Sequence, residues 1–248
     1  MRAGFPGIMS AALPSREAFS PTDISTLAAW YDATDFNFVT KDGSNLVSNW
    51  GDKSGNSNDA TATAGDRPTW QTNQQNSLPT INFDGSDQLD LPSGLFSIPN
   101  GSNTMFIVSQ RATESGSVET VLNLSDATAA DYFLIYAAAD GSISFKSRDG
   151  AGGTVTNTGN TLTNYNIFRG RRDGTTQALA VNGGTETTNA SGVSSASIDS
   201  GDIGASNNDN LMLMGNIGEI IIYSANLSAA DIALVETYLA NKWGLTLA

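Results

Sequence analysis

Two hydrophobic periods divide the chain. From Leu27 to Tyr223 apolar residues alternate with polar ones or form short runs bounded by Gly, Asn and Asp, the pattern of strands. From Ser228 to Trp243 they return every three or four positions, the pattern of one amphipathic helix. Ile232, Val235 and Leu239 share a face there with Tyr238 and Trp243. Ser228 is placed to cap the helix, with Asp231 three residues on as its capping-box partner, and Gly244 to stop it. Just before it, Gly215-Asn216-Ile217-Gly218-Glu219-Ile220-Ile221-Ile222-Tyr223 predicts a buried strand, and Ser224 to Leu227 a turn. The helix is expected to be structural and to pack on the strands near the first one.

The other predicted strands are Leu27–Tyr31, Thr80–Phe83, Thr104–Ser109, Val118–Leu124, Tyr132–Ala137, Ser142–Arg148, Asn166–Arg172, Thr176–Val181, Thr185–Thr188 and Leu211–Met214. Asp140-Gly141, Asp173-Gly174 and Asn182-Gly183-Gly184 are tight-turn signals between them. Many short strands with such turns predict an antiparallel sandwich. Trp30, Trp50 and Trp243 are expected in its core.

Residues 1–24 read differently. Pro6, Pro14 and Pro21, with Gly4 and Gly7, break regular structure, so the segment is expected to be an extended arm ahead of one domain over residues 25–248. It lacks the uninterrupted apolar stretch of a secretory leader. Arg2, Phe5, Ile8, Met9 and Leu13 are its candidate partner-binding residues.

Composition narrows the chemistry. The 248 residues include no Cys and no His, which removes thiolate chemistry, disulfides, the usual general base near neutral pH and the commonest zinc ligand. Twenty-five acidic residues against 12 basic ones give a formal charge of −13. Such a surface repels nucleic acid, and no apolar run is long enough for membrane insertion.

Polar clusters supply the candidate sites. Asp52, Asn56, Asn58 and Asp59 fall in one loop rich in oxygen ligands, so Ca2+ is a candidate cofactor. The alternative is a loop held by Asx turns, in which such side chains bind their own backbone. Asp84 to Asp90, and Asp199, Asp202 and Asn207 to Asn210, read as two more polar turns. Trp70 and Tyr132, with Asn207, Asn208 and Asp209, are the candidate ligand-binding residues. Phe36, Phe38 and Tyr136 are further aromatics able to stack on a sugar ring. Arg169, Arg171 and Arg172 are expected to pair with local acids or to mark a subunit contact. No two carboxylates share a strand at even spacing, the arrangement a glycosidase pair on one strand would need, and Glu219 reads as a buried, hydrogen-bonded structural acid.

Leu27-Ala28-Ala29-Trp30-Tyr31-Asp32-Ala33, Val47 to Asn56, Arg67-Pro68-Thr69, Ile81-Asn82-Phe83-Asp84-Gly85, Gly218 to Tyr223 and Val235 to Gly244, in that order, resemble the concanavalin A-like lectin/glucanase superfamily in its laminin G-like bacterial and phage branch. The resemblance implies an all-β, two-sheet antiparallel jelly-roll sandwich with one C-terminal helix. The Glu-x-Asp-x-x-Glu strand of the glucanase branch is missing, so no enzymatic activity is expected. The expectation is a phage virion accessory protein, a capsid decoration or fibre-like protein at the virion surface. Residues 1–24 would hold it to other virion proteins in many copies or as a homo-oligomer, and the sandwich would adhere to cell-surface glycans. The alternative is an extracellular carbohydrate-binding module or lectin, calcium-dependent or not.

Overall fold

A computed structural model describes residues 18–93, 96–98, 102–113, 116–125, 131–149, 153–157, 161–174, 176–190, 196–198, 200–206 and 211–248. Among them the strands run β1 (Leu27–Asp32), β2 (Val39–Lys41), β3 (Val47–Trp50), β4 (Ala60–Thr61), β5 (Thr69–Gln75), β6 (Leu78–Asp84), β7 (Leu89–Leu91), β8 (Phe96–Ile98), β9 (Asn103–Arg111) and β10 (Glu119–Ser125). They continue with β11 (Asp131–Ala137), β12 (Ile143–Asp149), β13 (Gly153–Asn157), β14 (Asn166–Asp173), β15 (Thr176–Val181), β16 (Thr187–Ala190), β17 (Ala196–Ile198), β18 (Ser200–Ile203) and β19 (Met214–Tyr223), and end in the helix α1 (Ala229–Trp243).

The architecture is the expected antiparallel sandwich. One sheet has eight strands in the order β16-β15-β14-β9-β19-β6-β5, with β1 also on β19. The other has nine, in the order β13-β12-β11-β10-β18-β7-β4-β3-β2. A ribbon of β8 and β17 packs at β10 and β11. β19 organises the first sheet. Met214 to Ile217 pair with β6, and Glu219 to Tyr223 pair with β1, so two strands follow one another along one of its edges. Gly218 lies at the junction, and its carbonyl accepts from Ala33 N–H.

Strand alternation divides the side chains between two cores. Ile81, Phe83, Met105, Ile107, Ile220 and Ile222 meet Trp50, Leu89, Leu122, Leu124, Ile135, Phe145 and Ile203 between the sheets. On the opposite face of the eight-stranded sheet, Phe106, Val108, Ile167, Ile221 and Tyr223 form a second apolar surface, covered by Leu227, Val235, Leu239 and Trp243. The helix therefore packs where expected, on the outer face that includes Trp30 of β1. Ser228 Oγ accepts from Asp231 N–H, and Gly244 closes the helix in the left-handed region at φ 63°. Removing a Ser cap costs about 1 kcal/mol.

Two corrections concern strands. Leu211 is not in a strand: it has φ 62°, and the strand expected over Leu211–Met214 begins only at Met214 and continues into β19. Asp90 and Asp202, both expected in polar turns, lie in β7 and β18.

Arg2, Phe5, Ile8, Met9 and Leu13 lie outside the described residues. The end of the arm lies on the domain. Ser20 caps a short 3-10 turn over Pro21–Asp23, Tyr223 OH donates to Pro21 O at 3.2 Å, and the Phe19 ring meets Tyr238 of α1 edge-on with centroids 6.1 Å apart.

Candidate functional site

The outer face of the nine-stranded sheet carries the candidate site. Backbone register aligns one residue from every strand in a single row: Thr154, Lys146, Leu134, Asn123, Asp202, Asp90, Thr61, Asn49 and Thr40. Their sequence neighbours Phe145, Ile135, Leu122, Leu124, Ile203, Leu89, Leu91 and Ala60 fill the inter-sheet core. Because side chains alternate along a strand, the row, Leu134 aside, belongs to the opposite, outer face. Ser144 and Tyr136 form a parallel row beside it.

At the centre of the row Asp202 stands directly opposite Asp90. Cβ atoms of such pairs are about 4.5–5.5 Å apart. Asn123 Nδ2 donates to Asp202 Oδ2 at 3.2 Å, and Gln88 Nε2 donates to Asp90 Oδ1 at 3.2 Å. These bonds help to orient both acids. Asp90, Asp202, Lys146 and Tyr136 are half-buried and Thr61 is exposed. At the β2 edge, a 3-10 turn over Phe36–Phe38, capped by Asp35, presents the two most distinctive surface aromatics, Phe36 at 71% and Phe38 at 37% exposure. Carboxylate, amide and hydroxyl groups aligned in this way suit a polyhydroxylated ligand whose hydroxyls they can take.

The turn leading into β7 is itself acidic. Asp87 is buried, and its Oδ2 accepts from Asp84 N–H at 3.0 Å. Burial, with the Asp84 and Asp66 carboxylates nearby, pushes its carboxyl up to about 6.

The other candidates take different places. Trp70 is in β5 of the opposite sheet, half-buried, with its indole N–H donating to Ala33 O at 2.9 Å and Lys41 Nζ 4.9 Å from the ring centroid. Tyr132 lies in β11, aligned with Ser125 and Arg148 on the nine-stranded sheet. Trp70 and Tyr132 are thus on different sheets. Asn207, Asn208 and Asp209 fall outside the described residues.

The loop proposed for Ca2+ is organised by backbone bonds. Asp52 Oδ1 accepts from the N–H groups of Trp30 at 2.9 Å and Ser54 at 2.8 Å, and its Oδ2 from Asn58 N–H at 3.1 Å. Asp59 Oδ1 accepts from Asp52 N–H at 2.8 Å. The amides of Asn56 and Asn58 donate to Ala28 O at 3.0 and 2.9 Å, and Lys53 N–H to Trp30 O at 2.8 Å. The loop thereby satisfies the free edge of β1, which otherwise presents unpaired polar groups. Among the described residues no three acidic groups converge as a cation site.

Under the helix lies the most densely bonded polar cluster. Glu219 is fully buried and accepts from four donors: Trp30 Nε1 at 2.7 Å, Tyr238 OH at 2.8 Å, Trp243 Nε1 at 2.8 Å and Lys242 Nζ at 2.8 Å. Lys242 also meets Asp32 at 2.8 Å, and Lys53 bridges Asp32 at 2.8 Å to Asp35 at 3.0 Å. Burial raises the Glu219 carboxyl, with Lys242 opposing and Asp32 adding to the shift. Burial also acts to raise Asp32, but Lys242 and Lys53 prevail and hold it below the usual range. Glu219 is thus the hydrogen-bonded structural acid expected from its strand. Along the helix, Arg169 pairs with Glu236 and Glu186, and Arg171 grips Glu186 with both Nε and Nη2. Arg172 is buried against Ser147 Oγ and Gly174 O. Arg169 and Arg171 have therefore found local acids, and they line a groove of about 490 Å³ with Leu227, Ala229, Ile232 and Ala233.

No family model and no curated protein matches the sequence. Solved structures do. Domain 4 of AbnA, a GH43 extracellular arabinanase from Geobacillus stearothermophilus, in complex with arabinotriose, is similar over 84% of this chain and 98% of its own, at 16% identity and TM-score 0.63. The binding domain of Paraclostridial Mosquitocidal Protein 1 is similar over 91% of this chain, at 13% identity and TM-score 0.65. The receptor binding domain of botulinum neurotoxin D is similar over 92%, at 16% identity and TM-score 0.62. The chain spans just over half the length of those two toxin chains, 56% and 57%. At these identities the likeness establishes the shared sandwich fold. Among the described residues, no helix is long and apolar enough to cross a membrane.

Proposed function

We propose that the protein is a non-catalytic, lectin-like sandwich that binds carbohydrate on the outer face of its nine-stranded sheet. The observation that carries this reading is the cross-strand row Asp202, Asp90 and Thr61, polar throughout and partly exposed, with Asn123 buried beside it at 3% exposure and bonded to Asp202. The neighbours, one of them an arabinanase domain in complex with arabinotriose, support the class of ligand. The test is a panel of immobilised glycans screened with the wild-type chain and with Asp90→Asn and Asp202→Asn. Binding that falls about tenfold in each variant agrees with loss of one charge-assisted hydrogen bond, about 1.5 kcal/mol. Equal binding by all three chains would remove the face from consideration.

We further propose that the domain is displayed in many copies on a phage particle through residues 1–24, where weak single-site affinity gains from avidity. The docking of Phe19 and Pro21 beside α1 supports a fixed exit point for that arm. Deleting residues 1–17 should abolish co-sedimentation with particles while glycan binding persists; unchanged co-sedimentation would exclude the anchor.

Glycan hydrolysis is the second reading, favoured by one observation: Asp90 and Asp202 face each other across two strands. A retaining pair needs carboxyls about 5–5.5 Å apart. Release of reducing ends from any bound glycan, abolished in either Asn variant, would replace the binding reading with this one.

A further inference from the structure

The first sixteen residues differ in charge from everything after them. They contain Arg2 and Arg16 and no acid, while the rest of the chain carries all 25 acidic residues against 10 of the 12 basic ones. A cationic segment tethered to so acidic a domain is drawn towards it. The segment also has an apolar side. Alternate residues of an extended chain point the same way, which groups Phe5, Met9 and Leu13, with only Gly7 and Ala11 between them.

The groove beside α1 matches both properties. Leu227, Ala229, Ile232 and Ala233 supply an apolar wall. Its charged lining is two arginines, Arg169 and Arg171, against three acids, Asp173, Glu186 and Glu236, a net formal charge of −1. Both arginines are paired with Glu186 or Glu236, and Asp173 is exposed. A volume of about 490 Å³ suits a few side chains.

The root of the arm leads there. Phe19 packs on Tyr238, and Phe19 and Ile232 both border the apolar cluster beneath α1. At about 3.6 residues per turn, Tyr238 lies about 200° round the helix from Glu236. The arm therefore starts on one flank of α1 and the groove lies on the other. The outward positions between them, Ala230, Leu234 and Thr237, are exposed and uncharged. About five extended residues, roughly 16 Å, span the outside of a helix about 10–12 Å across. Leu13 is thus the first large apolar residue able to enter the groove, with Met9 next.

We infer that residues 1–17 cross over α1 and seat Leu13 and Met9 in the groove of the same molecule. This is the arm's place in the free chain, independent of glycan binding; attachment to a particle, on the reading above, would draw it out.

The experiment uses the full chain, whose lack of cysteine allows a single label. Ala233→Cys, at an exposed position of the groove wall, is coupled to a benzophenone maleimide and illuminated, and the captured peptides are identified by mass spectrometry. Peptides from residues 1–17 should be the main product, in chains of monomeric mass. Adding Met9→Asp and Leu13→Asp leaves the tether intact and should lower that yield at least fivefold. Adding Arg2→Glu and Arg16→Glu instead should lower it at least twofold. Circular dichroism checks each variant, and Ala229→Cys replaces Ala233→Cys if the latter unfolds. No capture of residues 1–17 overturns the inference. So does capture unchanged by the two Asp substitutions, which the tether alone would explain. Capture confined to cross-linked dimers also overturns it and gives the groove to a second copy's arm. None of these outcomes bears on the glycan-binding face.

Discussion

The two sheets present outer faces that obey the same alternation and end differently. On the eight-stranded sheet the outward positions are Phe106, Val108, Ile167, Ile221 and Tyr223, and α1 covers them. On the nine-stranded sheet the outward row is Asn123, Asp202, Asp90 and Thr61, with no helix over it among the described residues. An apolar outer face must find a cover, because each buried large side chain contributes about 1.5–3 kcal/mol that exposure would forfeit. A polar outer face needs none, and Asp90, Asp202 and Thr61 keep partial exposure although Asn123 is buried. Glu219 on the covered face meets four donors, whereas Asp90 and Asp202 on the other face stand opposite each other. Polar groups on the first face hold the fold; those on the second are, on the proposed reading, the contacts of a ligand.

The comparison breaks most sharply at Glu219. Replacing it with Ala leaves Lys242 and two indole N–H groups without their acceptor beneath the helix. Removing one partner of a buried ion pair costs about 3–5 kcal/mol, to be read as a large drop in thermal midpoint; a loss under about 1 kcal/mol would contradict the structural role. Gly218→Ala follows. A Cβ there would lie 2.5 Å from the Trp243 ring, so the indole over Glu219 must shift, and overpacking of this kind costs about 1–3 kcal/mol. Ser228→Ala removes the helix cap and should cost about 1 kcal/mol by chemical denaturation.

Two smaller effects sharpen the contrast. The native Asp87 carboxyl binds its proton more tightly than an unfolded one, so between about pH 4 and about pH 6 folding takes up protons and stability falls as pH rises. Asp32 has the opposite sign: its depressed value gives stability that is present at neutral pH and lost as pH falls below the usual carboxylate range. Asp87→Asn should flatten the first slope and leave the acid-side loss in place, as followed by denaturation at a series of pH values. Last, Asp202→Asn should change stability by no more than about 0.5 kcal/mol. On the open face the signature of a substitution is lost binding, while on the covered face it is lost stability.

The covered face was legible in the sequence and the open face was not. β19 and α1 are long, uninterrupted and locally punctuated by Ser228 and Gly244, so period and caps suffice. Glu219, a single acid in an apolar strand, announces a buried, bonded carboxylate. The Asx-turn reading of Asp52 to Asp59 also matches the bonds observed, although the β1 edge those bonds satisfy cannot be seen from the loop alone. β4, β7 and β18 are two to four residues long and sit in polar surroundings, so each reads locally as a turn. Asp90 and Asp202 become neighbours only through pairing between distant segments, which no local spacing encodes. Trp70, an aromatic in a polar stretch that suggests a ligand, donates its indole N–H to Ala33 O just past β1 in its own eight-stranded sheet.

Hydrogen–deuterium exchange of the full chain, with and without a saturating neutral polysaccharide from the binding panel, tests the central claim most directly. The account predicts added protection over residues 89–91, 119–125 and 200–203, the strands that carry Asp90, Asn123 and Asp202, and no change over residues 229–243. Protection confined to the helix and its groove, with none on those three strands, would contradict it.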